Sequence, residues 1–321
     1  MLTQRGRMRI LMFGRGVIAS VTGWALVGAG HDVEFYVRPG RAELYGDEMT
    51  VDIQDSRRRR RRDQHVRETW SPRYREDLPE EHDFDLIVVS LPHHRLPAAV
   101  DFLSTRLGEA TLVMLSNMWD EPLDIIAPLP REQVVWGIPP AGGGFDATGR
   151  LRATLLSTVV LGRVGASQTD RELAVREAFS QAGIRVREQP DIRGWYFLHT
   201  ATDASLYSQA LRHGSMADLI GNTAALREAM LVGRELLPVV AARGVDLRRH
   251  LSSTLAFRLP SWLVAGAFAL ANSKVPFVRR AFETHDDPAA EEPRAVYRDV
   301  LSEAQRLGVP TPRLAAAAAD F

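Results

Sequence analysis

Residues 8–41 read MRILMFGRGVIASVTGWALVGAGHDVEFYVRPGR. The short apolar run Ile10–Phe13 has the length and unbroken hydrophobicity of a strand buried on both faces. It ends in Gly14-Arg15-Gly16-Val17-Ile18-Ala19, after which a helical pattern continues through Ala29 to a Gly30 cap. A second strand follows from Asp32 to Val37. Strand, GxGxxA turn, helix and strand together make the opening of a doubly wound α/β sheet. Gly14 makes the tight turn and Gly16 lets the backbone approach a pyrophosphate. Ala19 keeps helix and sheet close, and the helix N-terminus faces the phosphate charge. The residues expected to hold the dinucleotide phosphates are therefore Gly14, Arg15, Gly16, Val17 and Ile18.

The tip of the second strand discriminates between the two nicotinamide dinucleotides. An acid there accepts the ribose hydroxyls of NAD, whereas an arginine accepts the 2′-phosphate of NADP. The chain reads Val37-Arg38-Pro39-Gly40-Arg41, and its nearest acid, Glu34, lies inside the strand. Arg38, with Arg41 as helper, predicts NADP.

Working outward, Asp85–Leu91 (DLIVVSL) and Thr111–Ser116 (TLVMLS) read as further buried strands, separated by a helix over Pro97–Leu107. Val134–Ile138, a Gly142-Gly143-Gly144 turn and a strand over Leu155–Leu161 are expected to complete the sheet. Thr169 with Glu172 three residues on is a capping box, and from there the pattern is helical. The expected organisation is a Rossmann-type parallel-sheet domain over 1–165 and a helical domain over 166–321. Arg57–Arg62, flanked by Asp55 and Asp63, are expected to form a solvated loop or hairpin.

Composition narrows the function. The 321 residues carry 40 basic and 40 acidic side chains, so no net field recruits nucleic acid or an anionic membrane. No apolar run reaches the ~20 residues of a membrane span. Residues 1–7 have no apolar core of their own, and a cytoplasmic protein is expected. The absence of cysteine excludes disulfides, thiolate metal sites and cysteine nucleophiles. The nine histidines show no metal-ligand spacing, and no metal is expected. No GxSxG nucleophile motif occurs. Trp24, Trp136 and Trp262 are expected to pack in cores or between domains, and the apolar stretch Leu255–Ala271 suggests a homodimer. Lys274 is the single lysine, so the other 39 basic residues are arginine.

GRGVIA, YVRPGR and the helical second half together resemble the ketopantoate reductase (2-dehydropantoate 2-reductase) family. That resemblance implies an NADPH-dependent reductase whose C-terminal domain is similar to that of 6-phosphogluconate dehydrogenase. VVSLPHHRLPAAV resembles the family's segment over the cofactor, adding Ser90, Leu91 and Pro92 to the cofactor set; Pro92 stands where the family has a lysine. Asn117 of MLSNMWDE matches the asparagine placed near nicotinamide and substrate, although Met118 replaces the glycine that follows it. EEPRAVYRDVLSEAQRLGVPTPRL resembles the family's C-terminal helix. Glu292 then falls on the substrate-binding glutamate, Arg294 on an aspartate and Tyr297 on an asparagine. His285-Asp286-Asp287 stands where the family has a serine-rich loop.

The departure that matters lies over Gly194–Ser205. The family carries a catalytic lysine there, with asparagines at i+4 and i+8. Aligning on Trp195 gives Phe197, Ala201 and Ser205; a shift of one gives Leu198, Thr202 and Leu206. Neither register contains a lysine, and Lys274 lies in another helix. Hydride transfer to a carbonyl leaves an alkoxide that needs a proton. His199, four residues before Asp203, is the best-placed donor, ahead of Tyr196, His93 and His94. The expected catalytic set is Asn117, His199 and Glu292. The small-molecule substrate is expected to be a ketone or imine other than ketopantoate. Two other readings fit the same residues: an NADP-binding sensor or pseudoenzyme without redox turnover, and a non-redox acid/base enzyme.

Overall fold

The computed structural model describes residues 6–57, 64–165, 169–284 and 291–317. Arg58–Asp63 and His285-Asp286-Asp287 lie outside the described residues. The chain divides into two compact units, 1–116 with 121–192, and 117–120 with 193–321.

The first unit contains, in order, β1 (Arg9–Phe13), α1 (Val17–Gly28), β2 (Asp32–Tyr36), α2 (Arg41–Tyr45), β3 (Met49–Asp55), β4 (Gln64–Trp70) and β5 (Tyr74–Arg75). Then come β6 (Leu86–Val89), α3 (Leu96–Ser104), β7 (Thr111–Met114), α4 (Pro122–Ile125), β8 (Val134–Ile138), β9 (Ala141–Phe145), β10 (Leu151–Leu155), β11 (Thr158–Gly162), α5 (Asp170–Gln181) and β12 (Arg185–Gln189). The main sheet runs β12-β11-β8-β7-β6-β1-β2-β5. Its pairings are parallel except β8 with β11. Strand order reverses between β1 and β6, the switch point at whose carboxyl edge doubly wound sheets bind ligands.

The apolar run that reads as a buried strand is one. Ile10, Leu11 and Met12 are fully buried, as are Ile87 on β6 and Leu112, Val113 and Met114 on β7. α1 lies against this sheet closely enough that a Cβ on Gly23 would come within 2.5 Å of the Phe35 ring. Gly30, at φ +91°, occupies the left-handed position just past the helix.

Two strand expectations are corrected. Gly142-Gly143-Gly144 is no turn but the centre of β9, in a second sheet ordered β4-β3-β10-β9. A Cβ on Gly143 would sit 2.4 Å from the Arg152 carbonyl oxygen, so the glycines admit the neighbouring backbone rather than reverse the chain. The expected single strand Leu155–Leu161 is two, β10 in the second sheet and β11 in the main one.

The domain boundary falls at Ile192/Arg193 rather than near 165. The N-cap half of the capping box forms, with Glu172 N–H donating to Thr169 Oγ1 at 3.2 Å. The helix it starts, however, is a crossover returning the chain to β12, which pairs parallel with β11. Buried Glu172 fixes that crossover, accepting hydrogen bonds from Arg163 at 2.7 Å and Arg176 at 2.7 Å.

The second unit is helical: α6 (Ile192–His213), α7 (Thr223–Ala242), α8 (Leu251–Arg258), α9 (Ser261–Lys274), α10 (Pro276–Glu283), α11 (Glu291–Arg306) and α12 (Pro312–Ala317). Among the described residues no single helix is long and apolar enough to cross a membrane. Trp24 is half-buried, its indole N–H donating to Glu68, and Trp136 is core. Trp262 corrects its expectation, being 67% exposed. α9 buries its small residues Ser261, Ala265, Ala269 and Asn272, leaving Trp262, Leu263 and Leu270 outward.

Candidate functional site

The glycine loop has the local chemistry of an anion cradle. Gly14 adopts φ +101°, open to glycine and strained for any other residue, and its N–H donates to the Tyr36 carbonyl at 2.9 Å. Gly16 is the N-cap of α1, and no side chain caps the helix. With no acid in the first turn either, the leading N–H groups of α1 remain open to a phosphate.

The fold brings Ser90 and Leu91 to this loop. A Cβ on Gly14 would lie 3.8 Å from Leu91, and one on Gly16 would lie 3.9 Å from the Ser90 carbonyl oxygen. The Leu91 N–H donates to Ser116 Oγ at 3.0 Å, tying the end of β6 to the residues after β7. Pro92 caps the short helical turn of His93–Arg95 that leads into α3. Val17 and Ile18 are half-buried in the first turn of α1. The backbone thus fits a dinucleotide pyrophosphate.

Arg15 is placed otherwise than expected. Its Nε donates to the Tyr74 hydroxyl at 3.0 Å, and its guanidinium lies over the rings of Tyr45 (4.5 Å) and Phe145 (4.6 Å). It therefore braces the loop from an aromatic pocket. Arg38 and Arg41 are exposed, and among the described residues neither forms an ion pair. Between them Gly40 is left-handed at φ +76°. The Glu76 carboxylate accepts the Ala42 N–H at 2.7 Å. Hydrogen bonds from the Gly40 and Ala42 N–H groups hold its pKa below the usual carboxylate range. Glu34, inside β2, is engaged by Arg9 (3.2 Å) and Arg75 (3.6 Å).

The second unit holds the other expected residues. Asn117 begins a four-residue segment fastened to the helices. Thr200 Oγ1 donates to the Met118 carbonyl at 3.0 Å, and the Trp119 ring meets Phe197 edge-on at 5.7 Å. The Arg243 guanidinium packs over both rings, at 4.4 Å from Trp119 and 3.7 Å from Phe197. Held this way, Asn117 donates from Nδ2 to Asp203 Oδ2 at 3.4 Å. His199 Nε2 lies 3.5 Å from the same oxygen. The Trp195 indole stacks on the imidazole at 4.6 Å and 21°, fixing the ring plane.

The residues of both registers drawn from the sequence are mostly packed inside on α6. Phe197, Ala201 and Ser205 are buried in packing. Leu198 is buried too, and Thr202 spends its hydroxyl on the Leu198 carbonyl. The polar face is instead Trp195, His199, Asp203 and Tyr207, one residue every four. Asp203 is the acid that the sequence already pairs with His199; Tyr207, at i+8, was not drawn from it. Burial pushes the Tyr207 phenol well above its ordinary 10, and the negative charges of Asp203 and Glu292 add to that. Glu292 sits in the first turn of α11. Tyr297 is buried and donates to the Leu314 carbonyl at 2.7 Å, a packing role in place of the asparagine it aligns with. Arg294 is exposed. Among the described residues, no group of three or more His, Asp or Glu is arranged to hold a metal.

A parallel sheet opened at a GxGxxA turn and followed by a helical unit defines a Rossmann-type protein of the class built from a nucleotide fold and a helical partner. Residues 10–166 match the sequence model of the ketopantoate reductase PanE/ApbA family. Among solved structures, a D-mandelate dehydrogenase in ternary complex with NADH and anilino(oxo)acetate is similar, with TM-score 0.69 and 15% identity over 98% of this chain and 96% of that one. The 2-dehydropantoate 2-reductase of Geobacter metallireducens GS-15 gives 0.68 and 17% over 98% of each chain. A PanE/ApbA family ketopantoate reductase of Ralstonia eutropha JMP134 gives 0.65 and 16%, over 97% and 96%. No curated protein sequence matches the chain.

Proposed function

We propose that this protein is an NADPH-dependent reductase that delivers hydride to a carbonyl or imine of a small molecule other than ketopantoate. One observation supports this: on α6, the helix in which the resemblance calls for a lysine, His199 lies 3.5 Å from Asp203, which also accepts a hydrogen bond from Asn117. On this reading the proton-transfer residue is exchanged rather than lost. Gly14, Gly16 and the start of α1 would hold the dinucleotide, with Arg38 and Arg41 at its 2′-phosphate, and it would supply the hydride. Asn117 orients the acceptor, the His199 imidazolium donates the proton, and Asp203 steadies the imidazolium. Glu292 takes up a polar group of the substrate.

Titrating the protein with NADPH and following nicotinamide fluorescence tests the cofactor half. Saturable binding tighter than that of NADH is expected, and no binding at millimolar cofactor overturns the proposal. Absorbance at 340 nm over a panel of ketones, 2-oxo acids and imines tests the chemistry. Binding without turnover of any acceptor points instead to a sensor or pseudoenzyme.

A further inference from the structure

β2 ends without an acid: Val37, Arg38, Pro39, Gly40 and Arg41 follow Tyr36. The fold brings an acid there from another strand. β5 pairs parallel with β2, Phe35 opposite Tyr74 and Tyr36 opposite Arg75. The Val37 N–H continues the ladder, donating to the Arg75 carbonyl at 2.9 Å. Glu76 therefore leaves β5 at the carboxyl edge of the sheet, beside the tip of β2, on the edge where doubly wound folds bind ligands. There its carboxylate accepts the Ala42 N–H at 2.7 Å, and the Gly40 N–H as well. These bonds fasten it to the loop that carries Arg38 and Arg41. Among the described residues Glu76 has no ion-pair partner, so the backbone alone holds its charge. A carboxylate has about four acceptor positions, and the backbone bonds do not exhaust them. Asp77, the next residue, is exposed and lies 3.5 Å from Arg75 instead.

We infer that Glu76 weighs one nicotinamide dinucleotide against the other: it accepts the ribose hydroxyls of NADH and opposes the 2′-phosphate that Arg38 and Arg41 attract. This rests on the dinucleotide-binding reading above. An acid at the tip of the second strand accepts those hydroxyls, whereas an arginine there accepts the phosphate. This chain has both, delivered by two neighbouring strands. A ribose hydroxyl that donates to a carboxylate forms a charge-assisted hydrogen bond. A phosphate dianion has no proton to offer and meets a fixed negative charge. The two arginines are exposed, which limits what each contributes against that charge. The protein therefore uses both dinucleotides with a shallow preference, rather than NADPH strictly.

The test measures the dissociation constants of NADPH and NADH on the full-length protein by nicotinamide fluorescence. In wild type the two constants should lie within about tenfold of each other. Glu76→Gln keeps the shape and an acceptor oxygen for the loop N–H groups, so its thermal midpoint should stay within ~2 °C of wild type. It should bind NADPH about tenfold more tightly and NADH about tenfold less tightly, moving their ratio about 100-fold. Asp77→Asn removes the neighbouring charge and should leave the ratio at the wild-type value. A folded Glu76→Gln protein with the wild-type ratio overturns the inference, as does an equal shift in Asp77→Asn. A strict wild-type preference for NADPH, about 1000-fold or more, overturns it without any variant. Failure of both dinucleotides to bind overturns the dinucleotide-binding reading itself.

Discussion

Two buried or half-buried carboxylates, one in each unit, show how differently the same group is used. Glu172 in the first unit is gripped by Arg163 and Arg176, with Arg163 and Arg176 also reaching Glu188. Asp203 in the second unit faces an amide, an imidazole and, one turn on, a phenol. The first arrangement neutralises charge and locks a crossover onto an edge strand. The second keeps a carboxylate among groups that donate or exchange protons. The same contrast holds at larger scale. The first unit forms its candidate site mainly from backbone, two glycines and the start of a helix. The second forms its site from side chains alone.

That difference is open to breakage, beginning with the largest effect. His199→Ala should lower kcat about 10³-fold with the best acceptor, while NADPH affinity stays within a factor of two or so of wild type. A comparable loss of NADPH affinity would mean that the side-chain site and the cofactor site are not separate in function. Glu172→Gln should instead cost stability, about 3 kcal/mol, since it leaves two arginines facing an uncharged amide. Burial disfavours the Glu172 carboxylate, but hydrogen bonds and charge from Arg163 and Arg176 outweigh it, and its pKa lies below the usual value. A depressed carboxylate contributes fully above the ordinary carboxylate range, and that contribution is lost as pH falls through its folded pKa. The gap in urea midpoint between wild type and Glu172→Gln should therefore be full at pH 7 and close below pH of about 4. A gap that widens on acidification would reverse the assignment.

Gly16→Val probes the backbone site. With nothing nearer its added Cβ than the Ser90 carbonyl at 3.9 Å, the substitution should fold, and the side chain should occupy the space of the phosphates. NADPH affinity should fall about 100-fold with the thermal midpoint within ~2 °C of wild type. An unchanged affinity would remove the glycine cradle from the cofactor site.

How much of this was legible beforehand follows from the same contrast. The GxGxxA turn is readable because backbone geometry restricts residue type: φ +101° at Gly14 admits little but glycine. The glycines of β9 misled for the same reason. Glycine also permits a neighbouring strand to approach, and local sequence does not say which demand it serves. β12 was missed because Arg185–Gln189 is mostly polar and sits at a sheet edge, where one face and one side are solvated and the hydrophobic signal is weak. On α6 the phase was not fixed by the sequence: alignment to a lysine that this chain lacks had no fixed point, and Phe197, in the register aligned on Trp195, packs against Arg243 and Trp119. Periodicity from His199 itself, with Asp203 and Tyr207 following at four-residue steps, gives a register that brings titratable groups to one side of the helix.

The smallest expected effect decides between the two dinucleotides. Arg38 and Arg41 are exposed and, among the described residues, form no ion pair, so nothing in the first unit competes for them as charges. Glu76 complicates this. Its carboxylate occupies the Gly40 and Ala42 N–H groups, which flank Arg41 and would otherwise serve a 2′-phosphate. Discrimination therefore falls to the two guanidiniums rather than to the backbone, and exposed charge pairs are weak. Arg38→Ala should raise the NADPH dissociation constant about tenfold at low salt and leave NADH unchanged, and added salt should erase most of the difference. An equal loss for both dinucleotides would place Arg38 on the adenine or ribose. No loss for either would leave the first unit selecting its dinucleotide without an arginine, through Glu76 and the ribose hydroxyls, and NADH would then be the cofactor to expect.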